Sequence, residues 1–145
     1  MIESTEKLRK IVSVFWIDAD VIDEIVENGQ EASISLIDDN EFEQIKFTEA
    51  NYNEDASDTA NGILYQQKLN MVLAGDDKTV QQALIDLEVS KPVFKIEYDN
   101  GDMKLIGDKE NYCKVITPFS SENFVTKNEL NITRSSSCKA FFIAL

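Results

Sequence analysis

Apolar residues along this chain fall into short runs and two-residue alternations far more often than into helical stripes, which predicts a β-rich domain. Residues 11–17 (IVSVFWI) are a continuous β-branched and aromatic run, suited to a strand buried on both faces or lying at an interface. Residues 18–27 fit two patterns. Val21, Ile22, Ile25 and Val26 make a helical stripe, and a bent strand ending at Asn28-Gly29 accommodates them almost as well. Ala32, Ile34 and Leu36 alternate with Ser33, Ser35 and Ile37, a half-buried strand that stops at the turn cluster Asp38-Asp39-Asn40.

The stretch 42–75 is the most informative. Ile45 and Phe47 share one parity and Ala50 and Tyr52 the other, so the strand should contain a bulge near Thr48-Glu49. Ile63, Tyr65, Leu69, Met71 and Leu73 then lie on one face of a second strand, roughly 40 Å long at about 3.3 Å per residue. A globule of this size has a radius of gyration of about 15 Å. The two strands should therefore form a long hairpin overhanging the core, with a polar tip at 53–61 (NEDASDTAN) expected to be unstructured until a partner orders it.

Beyond Gly75, Asp76 or Asp77 is placed to cap a helix carrying Val80, Ala83, Leu84 and Leu87 on one face, which Lys91-Pro92 terminates. Residues 93–98 and 103–106 read as a hairpin around Asn100-Gly101, whose two residues suit a type I′ turn. Strands are also expected at 112–117, 129–134 and 139–145, the last (AFFIAL included) apolar on both faces. Eight or nine strands and one helix predict a single domain over residues 1–145. Its fold class is mainly β: a β-sandwich or partly closed barrel with one flanking α-helix and a long protruding hairpin.

Composition narrows the function classes. The 145 residues include 27 acidic and 14 basic side chains, no histidine and two cysteines, for a formal charge of −13. The lack of histidine removes Ser-His-Asp and Cys-His catalysis and the commonest zinc sites, and the charge argues against a basic nucleic-acid-binding face. Three acidic clusters stand out: Asp18, Asp20, Asp23 and Glu24; Asp38, Asp39 and Glu41; Glu54, Asp55 and Asp58. None has the spacing of a calcium loop, and so many acids produce such clusters by composition alone. No nucleophile motif or phosphate-binding glycine loop occurs, so neither catalysis nor a cofactor or metal is expected. Trp16, inside its apolar run, is expected in the core or at an interface. Cys113 and Cys138 lack metal spacing and are expected as buried or half-buried thiols rather than a disulfide. Residues 1–10 are charged, and no apolar run approaches the ~20 residues of a membrane span, so neither export nor a membrane is expected.

From Gly62 onward the chain resembles a family of small structural proteins of Bacteroidetes phages and prophages. The resemblance rests on Gly62-Ile63-Leu64-Tyr65 leading into the strand to Leu73, the helix through Leu84 and Leu87, and Pro92-Val93-Phe94-Lys95-Ile96. It continues through the Asn100-Gly101 hairpin, Leu105-Ile106-Gly107-Asp108 and the final strand, while Cys138 to Leu145 departs from the family's ending. The resemblance implies a fold similar to that of tail-tube and neck-ring subunits and a place in the virion, after assembly in the host cytoplasm. It also implies a homo-oligomeric ring, six- or twelve-fold, that contacts other virion proteins and meets DNA only in passage. Candidate lumen or subunit contacts are Glu49, Glu54, Asp55, Asp58, Tyr65, Phe141 and Phe142, with Asp18, Asp20, Asp38 and Asp39 as further lumen acids. The competing expectation, from charge alone, is an acidic monomeric binding or adaptor module that docks a basic partner.

Overall fold

A computed structural model describes residues 10–73, 78–116 and 129–143, the side chains of 79–81 excepted. Strand β1 (Ile11–Asp18) passes through a single 3-10 turn, Ala19–Val21, into β2 (Ile22–Asn28), followed by β3 (Glu31–Leu36) and the short β4 (Glu43–Ile45). The long pair β5 (Phe47–Thr59) and β6 (Gly62–Leu73) comes next, then helix α1 (Lys78–Val89). The chain continues through β7 (Pro92–Tyr98), β8 (Met103–Ile106), β9 (Lys114–Ile116), β10 (Glu129–Ser136) and β11 (Phe141–Ile143). The proposed caps Asp76 and Asp77, the end of the strand at Thr117, and residues 144–145 lie outside the described residues.

Two sheets result, ordered β2-β3-β11-β8-β7-β1-β4 and β5-β6-β10-β9. Their facing residues share one core. Val14, Phe94, Ile96 and Ile106 of the larger sheet pack with Leu69, Met71, Leu130 and Ile132 of the smaller one, and Leu84 and Leu87 of α1 join them. This is a mainly β, sandwich-like fold with one helix, not a closed barrel. The larger sheet is apolar on its other face too. Ile17, Val93 and Leu105, of opposite parity to the first set, form a second cluster with Ala19 and Ile22. That explains the unbroken apolar run of β1, in which Trp16 is half-buried against the main cluster.

The ambiguous residues 18–27 resolve into the 3-10 turn, which Asp18 caps by accepting from the Asp20 amide (2.9 Å), and a strand paired with β3. Pairing decides the outcome: Ile22 is buried, and Val26, on the imagined helical stripe, is 51% exposed. The bulge expected at Thr48-Glu49 is present, as the ladder to β6 shifts between Phe47 and Glu49. The turn at Asn100-Gly101 is not type I′. Only Gly101 has a positive φ there (+92°), the Gly101 amide bonds to the Tyr98 carbonyl, and the Tyr98 amide bonds to the Asp102 carbonyl. Together these make a type I turn closed by a glycine bulge. At Gly107 (φ +112°) a Cβ would sit 3.3 Å from a Val93 methyl and 3.4 Å from the Cys113 sulfur, so only glycine lets the chain leave β8 against the core. Cys113 is buried as expected, whereas Cys138 is exposed; both are free thiols.

The C-terminal strand has a position no local pattern announces. β11 runs parallel to β3 (Phe142↔Glu31) and antiparallel to β8 (Phe141↔Leu105), so three residues join the β2-β3 hairpin to the rest of the larger sheet.

Candidate functional site

The outer end of the hairpin β5-β6 is the part of the molecule with no evident task inside the fold. Its ladder runs without further interruption from Glu49↔Val72 to Thr59↔Gly62. The polar segment 53–61 is therefore mostly paired strand, and the turn itself is only Ala60 and Asn61. There the Thr59 hydroxyl donates to the Gly62 carbonyl (2.6 Å) and accepts from the Asn61 amide (3.3 Å). Polarity misled the expectation of an unstructured tip, because a ladder is held by backbone groups whatever the side chains are.

Burial along β6 stops at Gln67 and flanking by β10 stops at Tyr65, whereas the hairpin continues. All residues from 55 to 63 are exposed. The last five pairs, Asp55↔Gln66 to Thr59↔Gly62, form an arm beyond the last buried residue of β6, and the final three, with no third strand beside them, overhang the sheet by roughly 10 Å. Among the described residues β5, 13 residues long, is an edge strand with no neighbour on its outer side, so one row of its backbone groups is open along the sheet and the arm.

At the arm's root lies a polar cluster on the inward face of the smaller sheet. Gln67, 1% exposed, shares parity with Leu69, Met71 and Leu73 and takes the place where another apolar residue would be expected. Its Oε1 accepts from Arg134 Nη1 (2.8 Å). Its Nε2 donates to Glu54 Oε2 (3.2 Å) and to the Cys138 carbonyl (3.4 Å). Glu54 Oε2 also accepts from the Tyr52 hydroxyl (2.7 Å) and the Ala140 amide (3.0 Å). Arg134 follows Leu130 and Ile132 on the inward face of β10. It donates through Nε to the Asn111 carbonyl (2.8 Å) and through Nη2 to Asp108 Oδ2 (3.3 Å). Burial, then the hydrogen bond and charge of Glu54, push the Tyr52 phenol far above its ordinary value, so it stays a donor. The cluster ties β5, β6, β10 and the segment entering β11 to one another. Every member has a partner within the chain, which fits an anchor for the arm better than a reactive centre.

Beside this root a cavity of about 440 Å³ opens between the β2-β3 turn and the strand β11. Lys104, Lys139, Cys138, Phe141 and Phe142 line it, and Glu54 closes one side. The Lys104 ammonium lies over the rings of Phe142 (5.1 Å), Tyr52 (5.6 Å) and Tyr98 (5.9 Å).

The candidate contact residues thus separate. Glu49 and Asp55 are on the outward face of β5 and exposed. Asp58 has inward parity but lies beyond the core, and is exposed. Glu54 faces the anchor and is no free lumen acid. Tyr65, half-buried, pairs with Ala56 and Ser136 where β10 ends. Phe141 and Phe142 are half-buried in β11, with Phe142 at the cavity. Asp20 pairs with Lys91 (3.4 Å), and Asp38 (φ +54°) and Asp39 are exposed in their turn. Sequence reasoning missed Gln67, Arg134, Asp108 and Lys104. The first two had a signal, each being a polar residue at an inward-parity position of an otherwise apolar strand face.

Among the described residues no three acid or thiol groups converge as a metal site, and no helix is long and apolar enough to cross a membrane. Compared with family models, curated proteins and solved structures, the chain matches none of them.

Proposed function

We propose that the chain is a structural virion protein, a subunit of a homo-oligomeric ring in a phage tail or neck through which DNA passes. The observation that carries this reading is the arm with its open edge strand. A 13-residue edge is a hazard for a monomer, since it templates pairing with any other strand. In a ring each subunit's edge meets its neighbour and the hazard disappears on all subunits at once. The arm adds nothing to the chain's own core, so its length serves something outside the chain. The virion setting rests only on the sequence resemblance from Gly62 onward to phage structural proteins. A charge of −13 suits a wall past which DNA must slide without adhering. An acidic module docking a basic partner accounts for the charge and leaves the arm without a task.

Sedimentation velocity on the wild-type chain and on a variant lacking the arm tests the reading. Replacing residues 55–66 by an Asn-Gly turn keeps Glu54 opposite Gln67 and removes no fully buried side chain, only the half-buried Leu64, Tyr65 and Gln66. The wild type is expected to sediment as a closed oligomer and the armless variant as a folded monomer. A wild-type chain that stays monomeric up to millimolar concentration would refute the ring, and an armless variant that still forms it would refute the arm as the contact.

A further inference from the structure

We propose that the cavity at the root of the arm receives the acidic arm tip of a neighbouring copy, an inference that rests on the ring reading and names its contact.

The cavity reverses the charge of its surroundings. In a chain with 27 acids and 14 basic residues, Lys104 and Lys139 both line it, against the single carboxylate of Glu54. That carboxylate is already engaged, its Oε2 accepting from Tyr52, Gln67 and Ala140. Lys104 is held by three aromatic rings, and Lys139 is exposed on the segment entering β11. Phe141 and Phe142 supply an apolar wall. An acidic group on a small polar turn fits these surroundings: two ammonium groups attract it, and about 440 Å³ admits the side chains of a turn.

The arm tip is such a turn. It carries Asp58 two residues before Ala60-Asn61, and residues 55–63 are all exposed. A subunit cannot fill its own cavity, because four residues of extended strand, about 13 Å, separate Glu54 at the root from Asp58 near the tip. The occupant must then be a second copy. Tip and root are different surfaces, so the contact is heterologous, the type that generates a ring when the rotation closes. Each subunit gives one tip and offers one cavity. The attraction is between partly exposed charges, so assembly should weaken as salt shortens the screening length.

The native thiols allow a direct test. Cys138 is exposed at the cavity, and Cys113, 1% exposed, is out of reach. A Ser57→Cys variant, oxidised by dioxygen with a copper catalyst, is expected to form disulfides between one chain's residue 57 and its neighbour's Cys138. The product is a ladder of covalent oligomers on a non-reducing gel, abolished by Cys138→Ser. Such a bond requires Cα atoms within about 7 Å, so it reports the seated tip rather than chance collision. Charge reversal gives a second readout. Lys139→Glu, alone or with Lys104→Glu, should raise the concentration needed for assembly at least tenfold, and Asp58→Lys in the same chain should restore it. No ladder from a Ser57→Cys chain that assembles like the wild type would overturn the inference and leave the ring standing. So would unchanged assembly by the lysine variants. A wild-type chain that never assembles would overturn both.

Discussion

Replacing Arg134 by methionine tests whether the anchor at the arm's root stabilises the fold. The Arg134 side chain is 8% exposed and makes three hydrogen bonds, to the Asn111 carbonyl, to Gln67 and to Asp108. Methionine fills much of the same space and donates nothing. Asp108, 39% exposed, recovers solvation from water at small cost. Gln67 cannot, and its orphaned Oε1 costs about 1–3 kcal/mol. With the other lost hydrogen bonds, one of them to a carboxylate open to water, the total should be about 2–4 kcal/mol. Against a domain stability of about 5–15 kcal/mol that is a substantial share. With a urea slope of about 2 kcal/mol per molar, the unfolding midpoint should fall by roughly 1–2 M at unchanged slope. Gln67→Leu should cost about 2 kcal/mol by stranding Arg134 Nη1. Gln67→Leu with Arg134→Met should lose clearly less than the sum, because neither variant then leaves a buried orphan for the other. An Arg134→Met variant within about 1 kcal/mol of wild type, or strict additivity in the double variant, would refute the anchor.

The remaining predictions concern thiols, alkaline pH, the C-terminal strand and DNA. Burial pushes the Cys113 thiol up to about 12, so a disulfide reagent at neutral pH should modify only Cys138 in the folded chain and both thiols in urea; rapid reaction of both without urea would contradict the packing. Cys113 and Tyr52 both hold their protons more tightly folded than unfolded. Their contribution is complete below the ordinary values of 9.0 and 10.0 and is lost as pH rises above them, so urea midpoints should fall steadily from pH 9 upward; a flat profile would refute the burial of both groups. Truncating residues 141–145 removes half-buried Phe141, Phe142 and Ile143 and divides the larger sheet. The expected loss is about 3 kcal/mol from side chains alone, read by thermal denaturation, and unchanged melting would refute the bridging role of β11. The wild-type chain should show no DNA affinity even at low salt, and Glu49→Lys with Asp38→Lys and Asp39→Lys should create a salt-sensitive one; DNA binding by the wild type would refute the sliding wall.

Parity made the hairpin legible. The switch between Ile45/Phe47 and Ala50/Tyr52 marked the bulge, and the run from Ile63 to Leu73 gave the length of β6. Asn53 to Thr59 were misjudged because side-chain polarity was weighed where backbone pairing decides. The stripe at 21–26 fitted helix and strand alike, since four closely spaced apolar residues satisfy both periods until a partner such as β3 is known. The place of β11 between β3 and β8 depends on contacts far apart in sequence, which no periodicity encodes. At the candidate site the acids were visible and their directions were not. Glu54 differs from Asp55 only in parity, and parity turns one toward Gln67 and the other to solvent. Gln67 and Arg134 were readable in principle as polar interruptions of an apolar face.

The central claim is that arms join copies of this chain into a ring, and electron microscopy of the purified wild-type protein tests it most directly. The account predicts class averages of a closed ring of six or twelve subunits with a central opening, and density from each β5-β6 arm seated on the root of its neighbour. Separate single chains in the images, or assemblies in which the arms project into solvent without meeting a neighbour, would contradict it.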